Sequence, residues 1–146
     1  MKPVIVSTEV AAPPAQVFEH LDTLANHEAF LDHYLEKWKF SGPASGVGAK
    51  AEALAKAPGS QDWFEFEVVE CEAPRLLVED AVSSGGKRRT RGTYRLSEAG
   101  GGTRIEFELG FLELPRSERI APFLTRAFAK RVNAKAMRRL AKQLDG

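Results

Sequence analysis

The sequence predicts one α+β domain over residues 1–146: a curved seven-stranded antiparallel sheet gripping a long C-terminal helix, with two short helices between the first and second strands. Three observations carry this. From Tyr34 to Leu112 apolar and polar residues alternate with a period of two. Turn signals interrupt that stretch about every ten to fifteen residues, the rhythm of an antiparallel meander. Everything after Pro115 is rich in Ala, Leu, Arg and Lys, the composition of a helix.

The first strand is Val4–Val10, with Val4, Val6, Thr8 and Val10 on one face and Ser7 and Glu9 on the other. Pro13-Pro14 ends it and suits the first turn of a helix, Ala15–Leu21, whose Val17, Phe18 and Leu21 share a side. A second short helix starts at Asp22 or Thr23, either of them a good N-cap, and ends near Leu31. The next strand alternates Tyr34, Glu36, Trp38 and Phe40 with Leu35, Lys37 and Lys39. Ser41-Gly42-Pro43-Ala44-Ser45-Gly46 turns the chain into Ala49–Ala57, and Pro58-Gly59-Ser60 into Trp63–Glu72. Ala73-Pro74 leads to Leu76–Val82, Gly85-Gly86 to Lys87–Leu96, and Gly100-Gly101-Gly102 to Thr103–Leu112. In the last strand Ile105, Phe107, Leu109 and Phe111 oppose Arg104, Glu106 and Glu108. A helix capped by Ser117 follows, and it buries an apolar side only against the concave face of the sheet.

The bulk numbers agree with a globular chain. It has 146 residues, of which 43% are hydrophobic and 28% charged, enough for a proper core and unlike a disordered or fibrous composition. A single cysteine, Cys71, excludes an intrachain disulfide and points to a reducing cytoplasm. The opening Met-Lys-Pro-Val-Ile-Val-Ser-Thr-Glu does not read as a signal peptide, and no apolar run approaches the ~18–20 residues of a membrane span. Net charge is +1, yet residues 115–146 carry nine Lys/Arg against two Asp/Glu.

The element order, with several local patterns, resembles the START-like superfamily, also called SRPBCC or the helix-grip fold. The matching pieces are Val10-Ala11-Ala12-Pro13-Pro14-Ala15-Gln16-Val17-Phe18, Gly46-Val47-Gly48, Gly101-Gly102-Thr103-Arg104-Ile105 and Met137-Arg138-Arg139-Leu140. The resemblance covers essentially the whole chain. It implies a cavity between sheet and long helix. It does not imply one chemistry, because relatives include polyketide cyclases, lipid-transfer domains, plant allergens and hormone receptors, co-chaperones and ribosome-associated factors. One departure is Phe30, which stands where such proteins often carry a tryptophan that closes the cavity.

The alanine row Ala49, Ala51, Ala53, Ala55 and Ala57 is unusual for a strand. Its alternation with Lys50, Glu52 and Lys56 turns it inward, where it either lets the helix approach closely or leaves an unfilled volume. The aromatic rows Tyr34, Trp38, Phe40 and Phe64, Phe66 form either closed core or cavity lining. Together with Ala51, Ala53, Val78, Tyr94, Phe107, Phe123 and Phe128 they make up the candidate ligand-binding set. No catalytic constellation is evident. Glu36 and Asp80 share faces with apolar residues and are the candidate acid/base carboxylates of a cyclase- or dehydratase-like alternative. His20, His27 and His33 lack metal-site spacing, so neither metal nor cofactor is expected. Cys71 falls on the Glu65/Glu67 face as an incidental, partly exposed thiol.

Lys87-Arg88-Arg89-Thr90-Arg91 and Arg95 read as partners of cross-strand salt bridges. Arg131, Lys135, Arg138 and Lys142 form a basic helical stripe, either a solvated face or a docking face for an anionic protein, ribosome or membrane surface. Without interleaved aromatics it is not a specific nucleic-acid reader. In the same helix the apolar arc Ile120, Phe123, Leu124, Ala127, Phe128 moves by nearly half a turn to Ala136, Met137, Leu140, Ala141, Leu144. A bend or a change of packing partner is therefore expected between Lys130 and Asn133. The function expected is binding of a small hydrophobic molecule between sheet and helix.

Overall fold

The computed structural model describes every residue except Pro58 and Ser60, so those two positions of the expected Pro58-Gly59-Ser60 turn lie outside the described residues. The strands are β1 (Val4–Val10), β2 (Leu35–Ser41), β3 (Lys50–Ala55), β4 (Trp63–Glu72), β5 (Leu76–Ser83), β6 (Arg88–Ala99) and β7 (Gly102–Glu113). They form one antiparallel sheet in the order β1-β7-β6-β5-β4-β3-β2. Between β1 and β2 lie α1 (Pro14–Asp22) and α2 (His27–Leu31), joined by a single 3-10 turn. These helices carry the chain from one edge of the sheet to the other. The C-terminal segment is α3 (Arg116–Ile120) and α4 (Pro122–Asp145).

The main core lies where the C-terminal half of α4 packs on β1 and α2. Ala136, Met137 and Leu140 are buried there with Val4, Val6, Ile105 and Phe107, and Val17, Phe18 and Leu21 of α1 join them. Burying Met137 and Leu140 contributes about 1.5–3 kcal/mol each. The Ala11 amide donates to the Asp145 carboxylate at 2.9 Å, tying the end of β1 to the end of α4. A smaller cluster, Leu35, Ala53, Ala55 and Phe64, sits at the other side of the sheet.

Three local features depart from the simple alternation. In β2 the register slips between Glu36 and Lys39, and Lys37 adopts a φ of +55°. This bulge puts Leu35 and Trp38 on the same inner face, so Leu35, not Glu36, points inward ahead of it. In β4 the register slips between Val68 and Glu70, which turns Cys71 inward against the core and opposite Leu77. The expected placement of Cys71 beside Glu65 and Glu67 is therefore corrected. Its Sγ lies 3.6 Å from Asp22 Oδ1, and burial with that carboxylate raises the thiol pKa. Finally, the C-terminal helix is not continuous from Ser117. Ala121 leaves helical geometry (φ −128°, ψ 72°) directly ahead of Pro122, whose ring disfavours a helical residue before it. From Pro122 onward α4 is unbroken, and of the two expectations for residues 130–133 the change of packing partner is the one observed.

Candidate binding cavity

Between the sheet and the N-terminal half of α4 lies a cavity of about 450 Å³, within the range of small-molecule sites (roughly 300–1,000 Å³). Its floor is the inward row of four neighbouring strands: Phe64 and Phe66 of β4, Glu79 and Ala81 of β5, Thr90, Gly92 and Tyr94 of β6, and Phe107, Leu109 and Phe111 of β7. Its roof is Leu124, Phe128, Ala129 and Val132 of α4, and Leu31 and Tyr34 close one side. Leu124 and Phe128 remain 59% and 55% exposed, which makes this rim apolar and wet. Tyr34 meets Phe64 and Phe128 edge-on at 5.8 and 5.9 Å, bridging floor and roof. Burial pushes its hydroxyl up to about 12.

Six of the twelve candidate residues line this space: Tyr34, Phe64, Phe66, Tyr94, Phe107 and Phe128. The other six do not. Trp38 stacks on Phe66 at 5.8 Å and on Phe40 at 5.8 Å, and Phe40 is left at the exposed edge. These rings account for the alanine row. Ala51 and Ala53 are buried, with Trp38 and Phe66 packed against their clusters. The small side chains make room for aromatic rings, neither for the helix nor for a cavity, and Ala57 is exposed. Val78 lies beside Thr93 on the opposite face of the sheet, and Phe123, 70% exposed, is on the outer side of α4. Phe30 is fully buried against His27 (ring centroids 5.0 Å apart) and does not reach the cavity.

Neither proposed carboxylate faces inward. Asp80 is held on the outer face by Arg91, whose Nε and Nη2 donate to it at 2.7 and 2.9 Å. Glu36 pairs opposite Leu54, off the cavity. The strand carboxylate that does point in is Glu79, which the sequence reading passed over. A signal for it exists. The turn at residues 84–87 sets Ser83 opposite Arg88, which pairs odd positions of β5 with even positions of β6. The β6 row Thr90, Gly92, Tyr94, Leu96 is uncharged between Arg89, Arg91 and Arg95, so Leu77, Glu79 and Ala81 face inward with it.

Glu79 is buried, and removal from water pushes its pKa up to about 7. His27 lies beside it, with Nδ1 3.9 Å from Oε2, too far for a hydrogen bond. His27 Nε2 sits 2.7 Å from the Leu21 carbonyl, which only accepts, so the neutral ring carries its proton on Nε2. Nδ1 therefore presents a lone pair to Glu79. Burial lowers the His27 pKa to about 4. Tyr94 packs on Phe107 (4.7 Å) and His27 (5.8 Å), and burial with the Glu79 charge raises its pKa well above the usual value.

At the opposite end Arg88 gathers the mouth. Its Nε donates to Glu118 at 2.9 Å, its Nη1 to Asp62 and Ser83 at 2.8 and 2.7 Å, and its Nη2 to the second Glu118 oxygen. Two carboxylates hold the guanidinium, raising its pKa further and latching α3 onto the sheet. The remaining arginines of β6 form the expected cross-strand pairs, Arg95 with Glu106 and Glu108, Arg89 with Glu113 and Arg91 with Asp80. His33 bonds Val132 and Arg139 of α4. Among the described residues no cluster of His, Cys, Asp and Glu is arranged to hold a metal ion. No described helix is long and apolar enough to cross a membrane. Arg131, Lys135, Arg138 and Lys142 are exposed and form no ion pair among the described residues, the arrangement of a solvated face. Nothing supports an anionic partner for it.

Solved structures share this architecture. A Thermus thermophilus protein, TTHA0849, superposes with a TM-score of 0.76 at 19% identity, covering 97% of this chain and 96% of its own. A Chromobacterium violaceum protein, CV1439, gives 0.74 at 15%, covering 100% and 99%. DynU16, from the dynemicin biosynthetic locus, gives 0.70 at 21%, covering 99% of this chain and 47% of its own. At such identities the likeness is one of fold. No curated protein matches the sequence. The model of the family described as polyketide cyclase / dehydrase and lipid transport matches residues 1–145, in agreement with the sheet, the long helix and the cavity between them. The chain belongs to the polyketide cyclase / dehydrase and lipid transport family.

Proposed function

We infer that the protein binds a small, mostly apolar molecule of lipid or polyketide type between the sheet and α4, by shape and burial. The observation that carries this is the cavity of about 450 Å³ walled by Phe64, Phe66, Phe107, Phe111 and Phe128, opening at an apolar rim. A closed core would fill such a volume, because interiors pack to near-crystalline density. Family membership supports the same reading. The test is native mass spectrometry of the protein purified without denaturant and then exposed to lipid and polyketide extracts. A retained small apolar molecule is expected. Protein that stays unliganded in every extract refutes the reading.

A second reading, acid–base chemistry on the bound molecule, is favoured by one observation: a carboxyl buried in the cavity with its pKa near 7. Glu79 takes the role first assigned to Glu36 or Asp80. Its test is deuterium exchange at the α-carbon of a bound β-diketone, which Glu79→Gln should slow. Equal exchange rates in the two proteins refute it.

A further inference from the structure

We propose that the cavity's ligand carries a hydrogen-bond donor, a hydroxyl or an ammonium group, which seats on Glu79 at the inner end, and that the site rejects carboxylates. This rests on the cavity being a ligand site and specifies which end of the ligand enters first.

The argument is one of unmet partners. Among the described residues three charged side chains line the cavity: Glu79, Arg88 and Glu118. Arg88 is already occupied by Glu118, Asp62 and Ser83, so it offers no free fork to an anionic head group. Glu79 is the reverse case. Among the described residues its carboxyl makes no hydrogen bond, and its close ring neighbour His27 turns a lone pair toward it. The residue is buried, yet its carboxyl oxygens open onto the cavity rather than being sealed in the core, and the cavity is where a donor can arrive. Once Glu79 is ionised, above about pH 7, a carboxylate placed there would set a second negative charge against it in a medium of low dielectric constant. Beside Glu79, Gly92 makes room for the Phe107 ring: a Cβ there would lie 2.8 Å from that ring, so any side chain would displace it from the cavity floor.

Polar head inward and apolar body outward follows, with the tail running past Phe64 and Phe128 to the rim. The groups facing Glu79 are His27 of α2 and Tyr94 of β6, with His20 and Asp22 of α1 acting on His27. Neither His27, lowered to about 4, nor Tyr94 carries a positive charge at neutral pH. With its own pKa near 7, Glu79 accepts from a hydroxyl in either form, and ionised it pairs with an ammonium.

The test uses decanol, decylamine and decanoate below their aggregation limits, each displacing a fluorescent apolar dye from the full chain. At about pH 8, where Glu79 is ionised, wild type should favour decanol or decylamine over decanoate by roughly ten-fold or more. Glu79→Leu should remove that preference while still binding the dye, and Glu79→Gln should keep decanol and lose decylamine. Decylamine affinity should rise between about pH 6 and about pH 8 and decanol affinity should not, which separates the two donor types. Equal affinities for all three probes, or decanoate binding most tightly, overturns the donor-head proposal and leaves the cavity reading intact. Failure of every probe and of the dye overturns both.

Discussion

Replacing Glu79 with glutamine should stabilise the protein, and only where the carboxyl would be ionised. Its folded pKa is near 7 against an ordinary value near 4.5. Between those values the unfolded chain releases its proton while the folded chain retains it, so folding stability falls as pH rises through that window. Below about 4.5 both states are protonated, and glutamine mimics the neutral acid. At 1.36 kcal/mol per pH unit the gap amounts to about 3 kcal/mol. Chemical denaturation of wild type and Glu79→Gln across about pH 4 to pH 8.5 measures the difference directly. The variant should match wild type at the acid end and exceed it by about 3 kcal/mol at the alkaline end. A pH-independent difference, or a variant less stable at high pH, would show that Glu79 has a partner this account has missed. Subtracting the two curves cancels the opposing contribution of His27. That residue's depressed pKa withdraws stability as pH falls from about 6.5 to about 4.

Three other outcomes follow from the packing. Ala53→Phe should lose about 1–3 kcal/mol or more, because Leu35, Trp38, Phe64 and Phe66 enclose the site; an unchanged denaturation midpoint would contradict that enclosure. Arg88→Gln should free α3 and raise amide exchange over residues 116–120 by roughly ten-fold or more while the core stays protected; unchanged exchange would mean that the Arg88–Glu118 pair is not what holds it. Reversing Lys135, Arg138 and Lys142 to glutamate should shift stability by less than about 1 kcal/mol, and unfolding of the triple variant would make the exposed stripe structural.

Where alternation was chemically sharp, strand faces were legible. β7 sets Ile105, Phe107, Leu109 and Phe111 against Arg104, Glu106 and Glu108, and that inner row is the one observed. β5 offered no such contrast: Leu76-Leu77-Val78-Glu79-Asp80-Ala81-Val82 is apolar in both phases with two acids side by side. Choosing the wrong phase hid Glu79 and promoted Val78 and Asp80. The bulges at Lys37 and after Val68 change phase inside a strand, which no fixed period can follow, and they misplaced Glu36 and Cys71. The alanine row was correctly turned inward, but what covers it depends on aromatic residues from two other strands, a tertiary fact. Phe123 was grouped with Leu124 and Phe128 on one apolar arc, but the α4 residues that line the cavity, Leu124, Thr125, Phe128, Ala129, Val132 and Asn133, centre on the side of the helix opposite Phe123.

The measurement closest to the central claim is made on Ala81→Phe. Ala81 belongs to the cavity floor, with β4 between its strand and that of the enclosed Ala53, so a phenyl ring there occupies ligand space without displacing core. Denaturation midpoint and affinity for an apolar dye are read on the same preparation. Stability equal to or above wild type, with affinity reduced by roughly ten-fold or more, is what a binding cavity requires. A variant that loses stability by about 1–3 kcal/mol yet binds the dye as wild type does would contradict it.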